Sequence, residues 1–152
     1  MSLLNLVPQT PDQNLINSLQ KAGLLESPVD AKFTVLTGGV ASEIWKVETD
    51  KKTYCVKRAL PKLKVEADWF APIERNRFEV AWCKIVGDIM PGSAPQIYYH
   101  DEEKMLCCME FLDPADHALW KAELRDGRGD PIHAENTGRI LGRIHSTSSG
   151  DK

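Results

Sequence analysis

The chain has 152 residues, a net charge of −3 and a hydrophobic share of 42%. That is enough for one core with an appendage, and too little basic surface for nucleic acid or an anionic membrane as partner. No apolar run reaches the length of a membrane span, and the start, Met1 to Pro8, has no basic stretch ahead of a long apolar one, so the expected location is cytoplasmic.

In chain order, residues 11 to 25 form the first predicted element. Pro11-Asp12 opens a helix, Leu15, Ile16, Leu19 and Ala22 recur at helical spacing, and Gly23 stops it. It reads as a packing helix within an N-terminal extension, residues 1–29, that carries no chemistry. Ser27-Pro28 breaks the chain before a strand near Phe33. A glycine turn at Gly38-Gly39 leads into a second strand, Ser42 to Glu48, and a third follows at Thr53 to Leu60 with Lys57 inside it. Pro61 to Pro72 is a charged connector in which Trp69 and Phe70 either latch onto the lobe or line a cleft.

The next helix has Phe78, Ala81, Trp82, Ile85 and Ile89 at three- and four-residue steps, predicting that stripe as its buried face, and Pro91-Gly92 ends it. Glu79 falls at the stripe's edge beside Val86. Glu74 lies in the first turn, where the helix dipole alone favours a carboxylate. Two strands, Gln96 to Asp101 and Lys104 to Leu112, are joined by an acidic turn, the second apolar enough to be buried on both faces. His100 reads as a strand-end surface residue. A helix near Asp116 to Leu124 is ended by the glycine-rich Asp126 to Asp130. The last helix carries Ile140, Leu141 and Ile144, with Gly138 and Gly142 spaced for close approach to a neighbour. Cys55, Cys83, Cys107 and Cys108 lie within these patterns without Cys-x-x-Cys spacing, and are expected as buried, reduced thiols.

The chemistry follows from the order of the elements. A glycine turn between strands lets backbone N–H groups approach phosphates, and Lys57, flanked by Val56 and Ala59, can present an ammonium to the α- and β-phosphates. An acid on the next helix, Glu79, can orient that lysine. Taken singly, the turn is an ordinary hairpin and the lysine a solvated strand residue; their succession makes the nucleotide reading. No Gly-x-x-x-x-Gly-Lys-Ser/Thr or Gly-x-Gly-x-x-Gly occurs. Arg128-Gly-Asp130 is a turn.

Residues 33 to 150 resemble the aminoglycoside phosphotransferase and choline kinase-like family, whose fold is that of the protein kinases. The resemblance is carried by Leu36-Thr-Gly-Gly-Val-Ala-Ser-Glu-Ile-Trp-Lys-Val47, Cys55-Val-Lys-Arg-Ala59, Arg75-Asn-Arg-Phe-Glu79, Pro91-Gly-Ser-Ala-Pro95, Met109-Glu-Phe-Leu112 and Gly138-Arg-Ile-Leu-Gly-Arg-Ile-His145. It implies an α+β small lobe at 30–112, with a five-stranded antiparallel sheet and one main helix. The opening helices of a truncated large lobe follow at 113–152.

The resemblance also implies nucleotide contacts at Gly38, Gly39, Ser42, Lys57, Glu79, Met109, Glu110 and Leu112. There the Glu110 carbonyl accepts from adenine, the Leu112 N–H donates to the ring, and Met109 stands behind the base. ATP or GTP would be the phosphate donor, Mg²⁺ would bridge the phosphates, and the acceptor would be a small hydroxyl compound. The family's Gly-Asp-x-x-x-x-Asn loop and Asp-x-Asp metal site do not occur in this chain, so no catalytic or metal residue is assigned in it, and His145 is read as structural. The chain is expected to be a front half, inactive alone and self-associating through its C-terminal third. The alternatives are a non-catalytic nucleotide-binding or protein-interaction module, and an inactive truncation product.

Overall fold

The computed structural model describes residues 10–150; the N-terminal start, residues 1–8, lies outside the described residues. Two compact units emerge, one from residues up to 81 together with 97–111, the other from 82–96 together with 112 onward.

The first unit is built on a five-stranded antiparallel sheet, as expected for a kinase-like small lobe. Its strands are β1 (Lys32–Val35), β2 (Ser42–Glu48), β3 (Thr53–Ala59), β4 (Ile97–Asp101) and β5 (Leu106–Glu110), in the order β1-β2-β3-β5-β4. Register is fixed by alternation: Trp45 lies opposite Val56, and Ile44 opposite Lys57. β5 sits between β3 and β4 with Leu106, Cys107, Cys108 and Met109 all buried, as its unbroken apolar run predicts.

One sheet face packs on α1 (Gln13–Lys21). Leu15, Leu19 and Leu25 share a buried core with Trp45, Val47, Tyr54, Val56, Leu106 and Cys108. The predicted packing helix is therefore part of the sheet's own core. Its start is set by Asp12, whose side chain accepts from the Leu15 N–H at 2.9 Å. Its end is set by Gly23 at φ +69, with Leu24 N–H donating to Leu19 O at 3.0 Å and Gly23 N–H to Gln20 O at 2.9 Å.

Two polar contacts fasten this helix to the strands. Asp12 accepts from Arg58 at 2.7 Å, and the buried Asp101 accepts from Ser18 Oγ at 2.7 Å. Burial pushes the Asp101 carboxyl up, but the Ser18 hydroxyl, the Lys104 N–H and the Lys104 ammonium outweigh it, so it sits below the ordinary carboxylate value.

The opposite face of the sheet carries Cys55, Cys107 and Met109, against which Val80 of α2 (Arg75–Ile89) is packed. Here one expectation is corrected. Phe78 is 75% exposed, Trp82 49% and Ile85 49%, whereas Asn76, Val80, Cys83 and Val86 are buried. The helix thus buries the side opposite the predicted stripe. Its buried side is lined by smaller residues, which let the helix approach closely, and period alone does not say which of two apolar sides faces inward.

His100 is also corrected: its Nε2 lies 2.9 Å from Asn76 Oδ1, and Asn76 Nδ2 lies 3.6 Å from Cys107 Sγ. A half-buried imidazole thus joins β4 to the helix. All four cysteines are free thiols, buried except for the half-buried Cys55. Burial pushes Cys107 up to about 11 and Cys108 up to about 12.

In the second unit, α3 (Trp120–Arg125) is shorter than the helix predicted from Asp116. A cluster in which Arg128 contacts both Glu123 and Asp126 follows it. α4 (Pro131–Ser148) opens with Pro131 in its first turn and with Asp130 Oδ1 accepting from Ile132 N–H at 2.9 Å. Ile144 is its buried residue, while Ile132 and Leu141 are exposed. A Cβ at Gly138 or Gly142 would meet no atom within 4 Å, so among the described residues no neighbour approaches either glycine closely. No helix of the described residues is long and apolar enough to cross a membrane.

Candidate nucleotide site

Lys57 and Glu79 meet on the α2 side of the sheet, within the first unit. Alternation along β3 buries Val56 in the α1 core and sends Lys57, with Cys55, to the other face. There Lys57 Nζ lies 2.5 Å from Glu79 Oε1, with side chains 25% and 37% exposed. Glu79, not the exposed Glu74, is the carboxylate that faces the lysine. The helix buries the side opposite the predicted stripe, and this swing carries Glu79 toward the sheet. A half-buried pair of this kind directs the ammonium while leaving N–H donors for another anion.

The glycine turn precedes β2 and borders Ile44, the residue opposite Lys57. Gly38 has φ +104, a conformation that needs glycine, and an added Cβ would meet nothing within 4 Å. Gly39 is held for space instead, since a Cβ there would come within 3.0 Å of Ile44 Cδ1. The turn is closed by the Leu36 N–H donating to Ile44 O at 2.9 Å. Ser42, the first residue of β2, is 7% exposed and lies opposite Ala59. Its side chain is therefore inside the lobe.

Met109 is 7% exposed opposite Cys55, and Glu110 ends β5 opposite Tyr54. Leu112 belongs to the second unit and is 39% exposed. Lys46 lies on the Lys57 face two residues beyond Ile44, pairs with Glu48 at 2.9 Å and stands 4.9 Å from the Phe111 ring centre. The sequence reading missed Lys46, because a strand lysine carries no local signal, and it missed Arg75, whose partners are main-chain atoms distant in sequence.

The first unit thus holds a positive-φ glycine ahead of β2 and an ammonium on β3 oriented by a carboxylate of α2. Among the described residues there is no group of three or more His, Cys, Asp or Glu side chains that could hold a metal ion.

The chain is similar to methylthioribose kinases. It is 31% identical to the enzyme of Escherichia coli O45:K1 over 137 residues, 89% of this chain and 32% of that protein. With the Bacillus mycoides enzyme the identity is 26% over 130 residues, 85% of this chain and 33% of the relative. The Bacillus cereus B4264 enzyme is 28% identical over 123 residues, 80% of this chain and 31% of its own length. The chain thus spans about a third of the length of the methylthioribose kinases it matches. No protein-family profile matches the chain.

Proposed function

We propose that this chain forms the nucleotide-binding lobe of a small-molecule kinase, one that transfers the γ-phosphate of ATP, or GTP, to a hydroxyl of a small acceptor. The observation that carries the proposal is the Lys57–Glu79 pair at 2.5 Å, with Lys57 opposite Ile44, the residue that borders Gly39. Similarity to methylthioribose kinases over most of the chain supports the same reading, and it makes methylthioribose the first acceptor to test.

In this mechanism Glu79 holds the Lys57 ammonium in place through a charge-assisted hydrogen bond, and the ammonium neutralises charge on the α- and β-phosphates. Backbone N–H groups of the glycine turn donate to phosphate oxygens. The Glu110 carbonyl at the end of β5 accepts from the base. A bound Mg²⁺ would supply positive charge to the phosphates, and no described residue of this chain is assigned to hold it.

The test is calorimetric titration with ATP of the unsubstituted chain and of Lys57→Ala, beside a thermal melt. The chain is expected to bind ATP, and the substitution to weaken binding by about tenfold or more with little change in melting, given the ~1.5–3 kcal/mol typical of a hydrogen bond to a charged group. Equal ATP affinity in both proteins would remove Lys57 from the site. Transfer of label from γ-labelled ATP to methylthioribose, set against other hydroxyl acceptors, tests the reaction itself.

A further inference from the structure

Arg75 opens α2 one helical turn ahead of Glu79, and its guanidinium reaches four main-chain carbonyls. Nη1 donates to Ala71 O at 3.1 Å and to Pro72 O at 2.6 Å. Nη2 donates to Leu60 O at 2.8 Å and to the carbonyl of Ala41. These acceptors belong to three segments: Ala41 closes the glycine turn just before β2, Leu60 follows β3 three residues after Lys57, and Ala71 and Pro72 end the connector.

Main-chain bonds converge on the same junction. Leu60 N–H donates to Ala41 O at 3.1 Å, Lys64 N–H to Val40 O at 2.8 Å and Ala71 N–H to Pro61 O at 3.0 Å. Among the described residues Arg75 pairs with no carboxylate. Its charge is met entirely by carbonyl dipoles, a use of the rigid five-donor guanidinium that lysine cannot reproduce.

We propose that Arg75 is a positioning residue that fixes the glycine turn relative to the Lys57–Glu79 pair. The inference rests on the nucleotide reading above. Arg75 and Glu79 are four residues apart on one side of the same helix, so a shift of α2 that withdrew Glu79 from Lys57 would also pull the guanidinium from Ala41. Turn and ion pair therefore move together, and phosphate meets both at one set spacing.

The experiment compares the unsubstituted chain with Arg75→Lys, and with Arg75→Ala in the presence and absence of methylguanidinium. Hydrogen exchange at the amides of residues 38–43 reads the turn, and titration with ATP and with adenosine reads the site. In Arg75→Lys the turn amides are expected to exchange faster and ATP to bind about tenfold more weakly, the scale of one lost charge-assisted bond. Adenosine affinity should stay within about twofold on the same scale, because adenosine has no phosphate to meet the turn. Methylguanidinium should restore part of the ATP affinity of Arg75→Ala.

Unchanged exchange at the turn, or equal weakening of ATP and adenosine, would overturn the proposal, since a merely structural arginine lowers both affinities together. A loosened turn in a chain that binds no ATP even unsubstituted would support the coupling and defeat the nucleotide reading instead.

Discussion

Leu19→Ala should be among the most damaging single substitutions in the first unit, and it should leave nucleotide affinity intact. Leu19 is 0% exposed and lies in the core shared by α1 and the sheet. Truncating a buried leucine costs ~2–5 kcal/mol, with the upper part of the range reserved for sites that cannot collapse onto the cavity. This site is braced. Ser18, the preceding residue, bonds Asp101 at 2.7 Å, and Asp12 at the start of the helix bonds Arg58 at 2.7 Å. The helix therefore cannot slide inward, and a loss of about 3–4 kcal/mol is expected. Lys57 lies on the other face of β3 from this core, so ATP affinity measured on the folded fraction should not change. Urea titration followed by far-ultraviolet circular dichroism gives the first quantity and calorimetry the second. A loss below about 1 kcal/mol would mean that the helix is not docked as described.

Four further outcomes follow from the same structure. Phe78→Ser should change stability by no more than about 0.5 kcal/mol, whereas Val80→Ala should cost about 2 kcal/mol; urea midpoints that reverse this order would put the wrong side of α2 against the sheet. Asp101→Asn should cost about 2 kcal/mol near neutral pH, where the hydrogen bonds to the charged carboxylate are intact. The folded Asp101 value lies below its unfolded one, so this stability is present above the unfolded value, ~3.9, and is lost as pH falls through the lower folded value. The asparagine variant should accordingly show a flatter acid limb in a plot of urea midpoint against pH. Gly38→Ala should cost about 1–3 kcal/mol from its φ of +104 alone and weaken ATP binding, with adenosine as the control ligand. Cys107 and Cys108, their thiols held neutral by burial, should resist a thiol reagent near neutral pH until the protein is unfolded, and rapid labelling of either would show that the β5 core opens.

The sheet was legible because each strand announced itself locally. Alternation in β2 and β3, the glycine turn between β1 and β2, and the unbroken apolar run of β5 each map onto a feature of the observed architecture. Strand parity fixes the face of Lys57, but helical spacing leaves Glu79 at the edge of a stripe that is in fact exposed, and the choice of Glu79 rests on the resemblance. The phase of α2 was not readable, because that helix has apolar side chains on two sides, and the buried one carries the smaller residues, Val80, Cys83 and Val86. His100 was misplaced because its partner, Asn76, is a buried polar residue on an element distant in sequence. Arg75 escaped notice because its four acceptors are carbonyls, which any sequence supplies.

The central claim is that phosphate binds between the glycine turn and the Lys57–Glu79 pair. A crystal structure of the chain with a non-hydrolysable ATP analogue tests it directly. The account predicts an α- or β-phosphate oxygen about 2.7–2.9 Å from Lys57 Nζ, with Glu79 still holding the ammonium from the other side. An analogue bound elsewhere, with Lys57 making no phosphate contact, would contradict it.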